Sequence, residues 1–497
     1  MRIGYKILLV LVIFILVDCT SRNEKVTILY WNDFHSFNVP YESRIKDNNR
    51  VMLGGAATLK GYINKFKNEN KNVATVHAGD EFQGTPICSI TEGMSQIRLL
   101  NLIQPDVFTL GNHEFDYGLE ALKKALSFAQ FPVISANIFD TEQGKPLVEP
   151  YFIKQYGKIK IGYIGLMTPY LKSLSLPEHI RGLKLIEPEK AASQYINEIK
   201  DSVDLIVVVS HMGVDQDSLL ASNVAGIDFI IGGHLHRALF DPMVVNDVII
   251  CQAGSQGKYL GRLDFEFDKK NKKIIRFHSQ LIPTIVDKVQ PDPLVAAAVD
   301  SLEKIAGEQL DIVIGEIKTD WIRSRNGESN IGNWQTDVMR EFAGTDIAFQ
   351  NSGGIRKNIL AGKITLRDMW ELNPFGNYFL TFELTGSELK KSLERNASGR
   401  GEYLQVSGLS YKWNPNKPVG QRVFVVKVNG KPLIESKKYS VCTNNFLIEH
   451  FYNVFGFPKE NREIKELNVI DLDVFIDAVK KQKVISSKIE GRIVEIK

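Results

Sequence analysis

The sequence predicts an α/β protein of two domains, and three observations carry that expectation. From residue 26 to about 265, apolar runs of strand length alternate with stretches that repeat apolar residues at helical spacing. Short polar strings rich in histidine, aspartate and asparagine follow several of those runs directly. After a break at Pro291-Asp292-Pro293 the texture changes, and only one further histidine, His450, occurs.

A chain of 497 residues is too long for one ordinary core, so more than one domain is expected. Hydrophobic residues make up 44% and charged residues 24%, the mixture of a globular protein. A formal net charge of +3 is close to neutral and argues against nucleic acid as a bulk partner.

At the N-terminus, Arg2 and Lys6 precede an apolar run at 7–17, and Asp18-Cys19 follows it. A basic flank and a run of this length read as an export signal, and the run is short for a membrane-spanning helix. A cysteine followed by Thr20-Ser21-Arg22-Asn23 resembles a bacterial lipoprotein signal, with Asp18 standing where a small residue is usual. Residues 1–19 are therefore expected to be a lipoprotein-type signal segment with Cys19 as the lipid attachment. The expected location is the cell envelope, on a membrane facing the periplasm or the cell surface. Cys88, Cys251 and Cys442 are scattered and are expected to be buried thiols.

The elements follow in order. Runs at 26–30, 73–76, 107–110, 205–209 and 229–231 read as strands, and 55–68 and 119–128 as helices. Runs at 248–251, 261–267 and 274–278 add strands with hairpin-like punctuation, so a mixed sheet is expected. These belong to a first domain over 25–285. A helical run at 294–310 lies in a connecting segment over 286–311, and a second domain covers 312–497.

The polar strings are Asp33-Phe34-His35, Gly79-Asp80, Gly111-Asn112-His113-Glu114, Ser210-His211 and Gly233-His234-Leu235-His236. Any one of them is ordinary turn chemistry. Five in one half of the chain point to a site. At a strand end, alternation would put two residues spaced by two on the same side, where both can grip one ion. A carboxylate such as Asp80 has two oxygens and can bridge two cations. Carboxylate plus imidazole suits zinc, manganese or iron better than calcium or magnesium. Two cations about 3.5–4 Å apart can clamp the attacking and leaving oxygens of a phosphoryl transfer.

The second domain carries other chemistry. In Asn351-Ser352-Gly353-Gly354-Ile355-Arg356 the glycines allow close backbone approach and Arg356 offers a bidentate phosphate contact. Arg325 offers another guanidinium. Asn373-Pro374-Phe375-Gly376-Asn377 and Asn444-Asn445-Phe446-Leu447 place aromatic rings beside turns, where two faces can sandwich a planar base.

The first-domain strings resemble the motif blocks of the calcineurin-like metallophosphoesterases. The fuller strings Leu29-Tyr30-Trp31-Asn32-Asp33-Phe34-His35 and Gly111-Asn112-His113-Glu114-Phe115-Asp116-Tyr117-Gly118 are similar to one branch, the 5'-nucleotidase family. Gly401-Glu402-Tyr403-Leu404-Gln405-Val406-Ser407-Gly408 and Glu490-Gly491-Arg492-Ile493 are similar to that family's C-terminal domain. The resemblance implies a four-layer α/β/β/α sandwich followed by a smaller α/β substrate-binding domain that rotates against it. It implies two divalent metal ions, zinc or manganese. One would be held by Asp33, His35, Asp80 and His236, the other by Asp80, Asn112, His211 and His234. His113 and Asp116 match the catalytic dyad, acting with a metal-activated water. Phe375 and Phe446 would stack on the base, while Arg325, Asn351, Gly353 and Arg356 hold phosphate and polar parts. Glu114 and His77 are read as structural.

One stretch departs from the family. A Gly-Gly-Asp-Gly turn commonly follows the Asn-Phe string, and its Asp binds the ribose hydroxyls. Here Tyr452 stands at the matching place, with Glu449 and Asn453 near it as substitutes. The expected function is removal of phosphate from nucleotides, including nucleoside diphosphates or UDP-sugars. The alternatives are a cyclic-nucleotide phosphodiesterase, another phospho- or sulfo-ester hydrolase, and a non-catalytic nucleotide-binding surface protein.

Overall fold

The computed structural model describes residues 23–44, 50–459 and 462–496. The expected export segment and Cys19 lie outside these described residues. Among the described residues no helix is long and apolar enough to cross a membrane.

The first domain is built on two six-stranded sheets. One runs in the order Lys273–Pro283, Tyr259–Asp268, Asn23–Trp31, Val73–His77, Val107–Thr109, Val133–Ile134. Asn23–Trp31 is parallel to Val73–His77 and antiparallel to Tyr259–Asp268, so the sheet is mixed as expected. The other runs Met243–Val245, Val248–Gln252, Phe229–Gly232, Leu205–His211, Ile159–Met167, Tyr151–Tyr156. Its central strands are parallel and buried along their length, because each face meets another layer. Ile28, Tyr30 and Val76 of the first sheet meet Tyr163, Val207, Val209 and Phe229 of the second in one apolar cluster.

Helices cover the outer faces. Ala56–Glu69, Met94–Ile103 and Leu119–Leu126 pack on the first sheet, and Pro188–Ile199 and Val214–Asn223 on the second. The result is the four-layer α/β/β/α arrangement. The helical run of the connecting segment is the helix Pro293–Ala306, capped by Asp292, whose side chain accepts from the Leu294 and Val295 amides. It is more than a link. Val295, Val299 and Leu302 form one apolar face and join the core of the first domain.

The second domain centres on a five-stranded sheet in the order Leu404–Ser407, Ile347–Asn351, Lys438–Asn444, Tyr378–Thr385, Lys465–Ile470. Apolar clusters cover it on both sides. Cys88, Cys251 and Cys442 are free and buried.

Candidate active site

The polar strings converge at one edge of the two facing sheets. Asp33 and His35 follow Asn23–Trp31, Asp80 follows Val73–His77, His211 ends Leu205–His211, and His234 and His236 follow Phe229–Gly232. Strand alternation does not align the paired residues, contrary to expectation. Asp33, His35, His234 and His236 all have positive φ, at 50, 52, 81 and 55°. The spacing works because a left-handed turn follows each strand end. Neighbouring loops pin these turns: the Asp33 amide donates to Gly79 O at 2.9 Å and the His35 amide to Asp80 O at 3.0 Å.

Two groups of donor atoms result, one of Asp33, His35, Asp80 and His236 and one of Asp80, His211 and His234. In the first, His236 Nε2 is 3.1 Å from Asp33 Oδ1 and 3.0 Å from His35 Nε2. In the second, His211 Nε2 is 3.0 Å from Asp80 Oδ2, and Asn112 Oδ1 is 2.9 Å from His234 Nδ1. Asp80 belongs to both groups. Its Oδ1 accepts the His113 amide at 2.9 Å, and a Cβ on Gly111 would fall 2.2 Å from that oxygen, so only glycine fits there. The buried Glu114 carboxylate accepts the amides of Asp80, Glu81 and Phe82 at 3.0, 2.8 and 3.1 Å, which fixes the turn that carries Asp80. His77 pairs with Glu81 at 2.8 Å beneath the site.

The donor set fits divalent cations. Asp33 is fully buried, and burial pushes its carboxyl up to about 6. Burial also opposes ionisation of Asp80, but the His211 and His113 rings beside it hold its carboxyl well below the usual range. Burial lowers His35 and His236, and lowers His234 to about 3, which keeps these rings neutral and able to ligate. His211 is the exception: although burial opposes its charge, the Asp80 and Asp33 carboxylates raise it to about 10, so a proton there supplies counter-charge that a bound cation would displace. Buried carboxylates call for such a counter-charge.

His113 and Asp116 stand beside this cluster, with His113 Nδ1 2.7 Å from Asp116 Oδ2. A cavity of about 470 Å³ opens from here to the second domain. It is lined on one side by Asp80, Asn112, His113, Asp116, His234 and His236. Facing them are Arg325, Asn351, Gly353, Arg356, Phe375 and Phe446. Asp33, His35 and His211 lie buried behind the first wall. Arg356 crosses between the domains: its Nη2 is 3.2 Å from His35 Nε2 and 3.3 Å from His113 Nε2. Its guanidinium carbon lies 5.7 Å from the Phe375 ring centre, and that ring is 5.9 Å from the His113 ring. Burial, then the Arg325 charge, lowers Arg356 to about 10, the signature of a crowded cationic wall that an anion would relieve.

Sequence reasoning missed several residues here. Burial, with Arg325 and Arg356, lowers Arg323 to about 9, and its Nη1 donates to Ile355 O at 3.0 Å. The Arg-x-Arg spacing was the available signal. Glu402 lines the cavity near Gly353, where a Cβ would fall 2.9 Å from Glu402 Oε2. Gln83, Ser175 and His179 line it from the first domain. Conversely, Glu449, Tyr452 and Asn453, placed by sequence near a sugar contact, belong to the short helices Asn445–Glu449 and Phe451–Phe455 and are not among the described residues lining the cavity.

Fold and site together define a two-domain metallophosphoesterase. The family model for calcineurin-like phosphoesterase matches residues 26–238, and that for the 5'-nucleotidase C-terminal domain matches 313–458. The chain is 30% identical to the 5'-nucleotidase of Homo sapiens, covering 94% of this chain and 90% of that one. The 5'-nucleotidase precursor of Thermus thermophilus superposes with a TM-score of 0.89 at 30% identity, covering 95% of this chain and 99% of that one. Endonuclease YhcR of Bacillus subtilis is 29% identical over 84% of this chain, which spans 37% of its length. The chain belongs to the 5'-nucleotidase family, hydrolases that act on nucleotide phosphates with divalent metals.

Proposed function

We propose that this protein is an exported, lipid-anchored enzyme that removes phosphate from nucleoside monophosphates, with nucleoside diphosphates and UDP-sugars as further substrates. One observation supports this best. The two donor groups sharing Asp80 and the pair His113–Asp116 open onto the same cavity as Arg325, Arg356, Phe375 and Phe446. Phosphate chemistry and base recognition thus share one space.

Asp33, His35, Asp80 and His236 would hold one cation, and Asp80, Asn112, His211 and His234 a second, with zinc or manganese suited to the donors. Bound cations supply a water nucleophile of lowered pKa and neutralise phosphate charge. The chain's own groups do the rest. Arg356 and Arg325 grip the phosphate from the second domain and draw it toward His113. Asp116 orients the His113 ring through Nδ1, leaving Nε2 to stabilise charge on the phosphoryl group and to protonate the leaving oxygen. Phe375 and Phe446 hold the base.

The test is phosphate release by the protein lacking residues 1–19, from AMP, UMP, ADP, UDP-glucose, a cyclic nucleotide and an aryl phosphate, with metal or with chelator. The expected result is metal-dependent release from AMP or UMP well above the aryl ester. Turnover of the aryl or cyclic ester alone would overturn the nucleotide assignment.

A further inference from the structure

We infer that Gln83 is a substrate-contacting residue whose amide N–H donates to a phosphoryl oxygen of the ester in the cavity. Gln83 is 2% exposed, and neither atom of its side-chain amide has a hydrogen-bond partner. Among the described residues it is the one unpartnered buried amide that lines the cavity. A buried amide without a partner is costly, so the wall beside the cavity is where its partner belongs.

The backbone gives a second, independent reason. Gln83 has φ 69°, in the left-handed region that glutamine rarely occupies. Left-handed residues at the site also include Asp33, His35, Asp80, His234 and His236, all candidate ligands, and Ser36 and Gln256, the latter explained by its amide, which donates to Asp33 O at 2.7 Å. Ser36 explains itself as a clamp. Its amide donates to Glu81 O at 2.9 Å, its hydroxyl donates to Gln83 O at 3.0 Å, and its oxygen accepts the Thr85 amide at 2.9 Å. Gly84 tightens the same joint, since a Cβ there would fall 2.1 Å from His35 O. The turn is thus bolted to the loop that carries Asp33 and His35, and the strain at Gln83 is held in place rather than relieved. Strain held at an orphaned polar residue marks function more than fold.

The chemistry follows from position. Gln83 is three residues from Asp80, and Phe82 O beside it lies 3.2 Å from His35 Nδ1. This is the phosphate end of the cavity, where Arg356 reaches His35. A neutral amide donor there adds a directional bond to a phosphoryl oxygen without changing the charge balance of the cluster.

The inference rests on the cavity taking a phosphate group, not on the nucleotide reading. Its probe is inorganic phosphate, titrated calorimetrically into the full-length, metal-loaded protein and into Gln83→Asn and Gln83→Leu. Metal content and melting temperature are measured alongside. Asparagine tolerates a left-handed backbone better than glutamine, so Gln83→Asn should melt no lower than wild type. Its amide is withdrawn by one carbon, so phosphate binding should still weaken several-fold. Gln83→Leu should keep its metal and lose about ten-fold or more in phosphate affinity, as for a lost bond to a charged group. Unchanged phosphate affinity in both variants would overturn the inference, as would loss of metal in step with phosphate. If wild type releases phosphate from no nucleotide but binds phosphate through Gln83, the nucleotide reading fails and this one holds.

Discussion

The two walls of the cavity are built on opposite principles. In the first domain, Asp33, Asp80, His35 and His211 are 0–2% exposed, and Asp33, His35 and Asp80 sit on turns that are left-handed at these non-glycine residues. Hydrogen bonds from two sheets and from Glu114 hold that strain. In the second domain, Phe375 and Phe446 are half-buried and Arg325 is exposed to the cavity. Left-handed backbone there falls on glycines such as Gly376 and Gly401, where it costs little. A cluster of donor atoms works only if it is placed to within a fraction of an ångström, so strain is tolerated for it. A wall that stacks on rings and grips with long guanidiniums tolerates displacement, so it needs no strain.

That contrast can be broken in order of severity. Asp80→Asn should have the largest effect, because Asp80 joins both donor groups. Metal content should fall at both sites, and activity should drop by more than the roughly 10²–10³-fold typical of one lost electrostatic partner. A variant that retains both cations and most activity would show that the groups are independent. His113→Ala comes next, with turnover falling by about a hundred-fold or more while metal content stays near normal. Loss of metal together with activity would move His113 from the chemistry to the ligand set.

Phe375→Ala tests the tolerant wall. Losing one stacked face costs about 1–3 kcal/mol, so KM for AMP should rise while an aryl phosphate without a nucleobase is little affected. Equal effects on both substrates would remove Phe375 from base recognition.

The smallest effect concerns Asp471, a fully buried acid of the second domain whose amide donates to the carbonyl of cavity-lining Asn377. Burial raises its carboxyl to about 7. A raised folded-state value means the protonated form favours the fold. That stability is present below the unfolded value near 4 and is lost as pH rises through about 7. Asp471→Asn removes the titration. The stability of wild type relative to this variant should therefore fall by on the order of 2 kcal/mol between pH 5 and 7.5, read as a shift in urea midpoint. An identical difference at both pH values would mean that Asp471 is solvated and that this wall holds no strained acid.

Much of the first domain was legible because its signals are local. Apolar runs at 26–30, 73–76, 205–209 and 229–231 each end in a polar string, and each forms a strand with that string at its end. The helix after Pro293 was legible too, but its membership in the first core was not, since that depends on what Val295, Val299 and Leu302 meet. The pleat argument for Asp33 and His35 failed because strand periodicity stops at Trp31, and the turn beyond it is set by partners distant in sequence. Gln83 was invisible because an amide in a turn is unremarkable until its partners are counted.

By itself the sequence determined which residues carry chemistry and which strand ends deliver them, because side-chain type and strand period are properties of short segments. Only the tertiary structure decided that Asp33, Asp80 and Asn112 of one sheet face His211, His234 and His236 of the other, and that Arg356 reaches across from a second domain to complete the cavity. The first meeting follows from two apolar sheet faces burying each other, and the second from the packing of one domain against the other, long-range consequences of the whole chain that no short segment encodes.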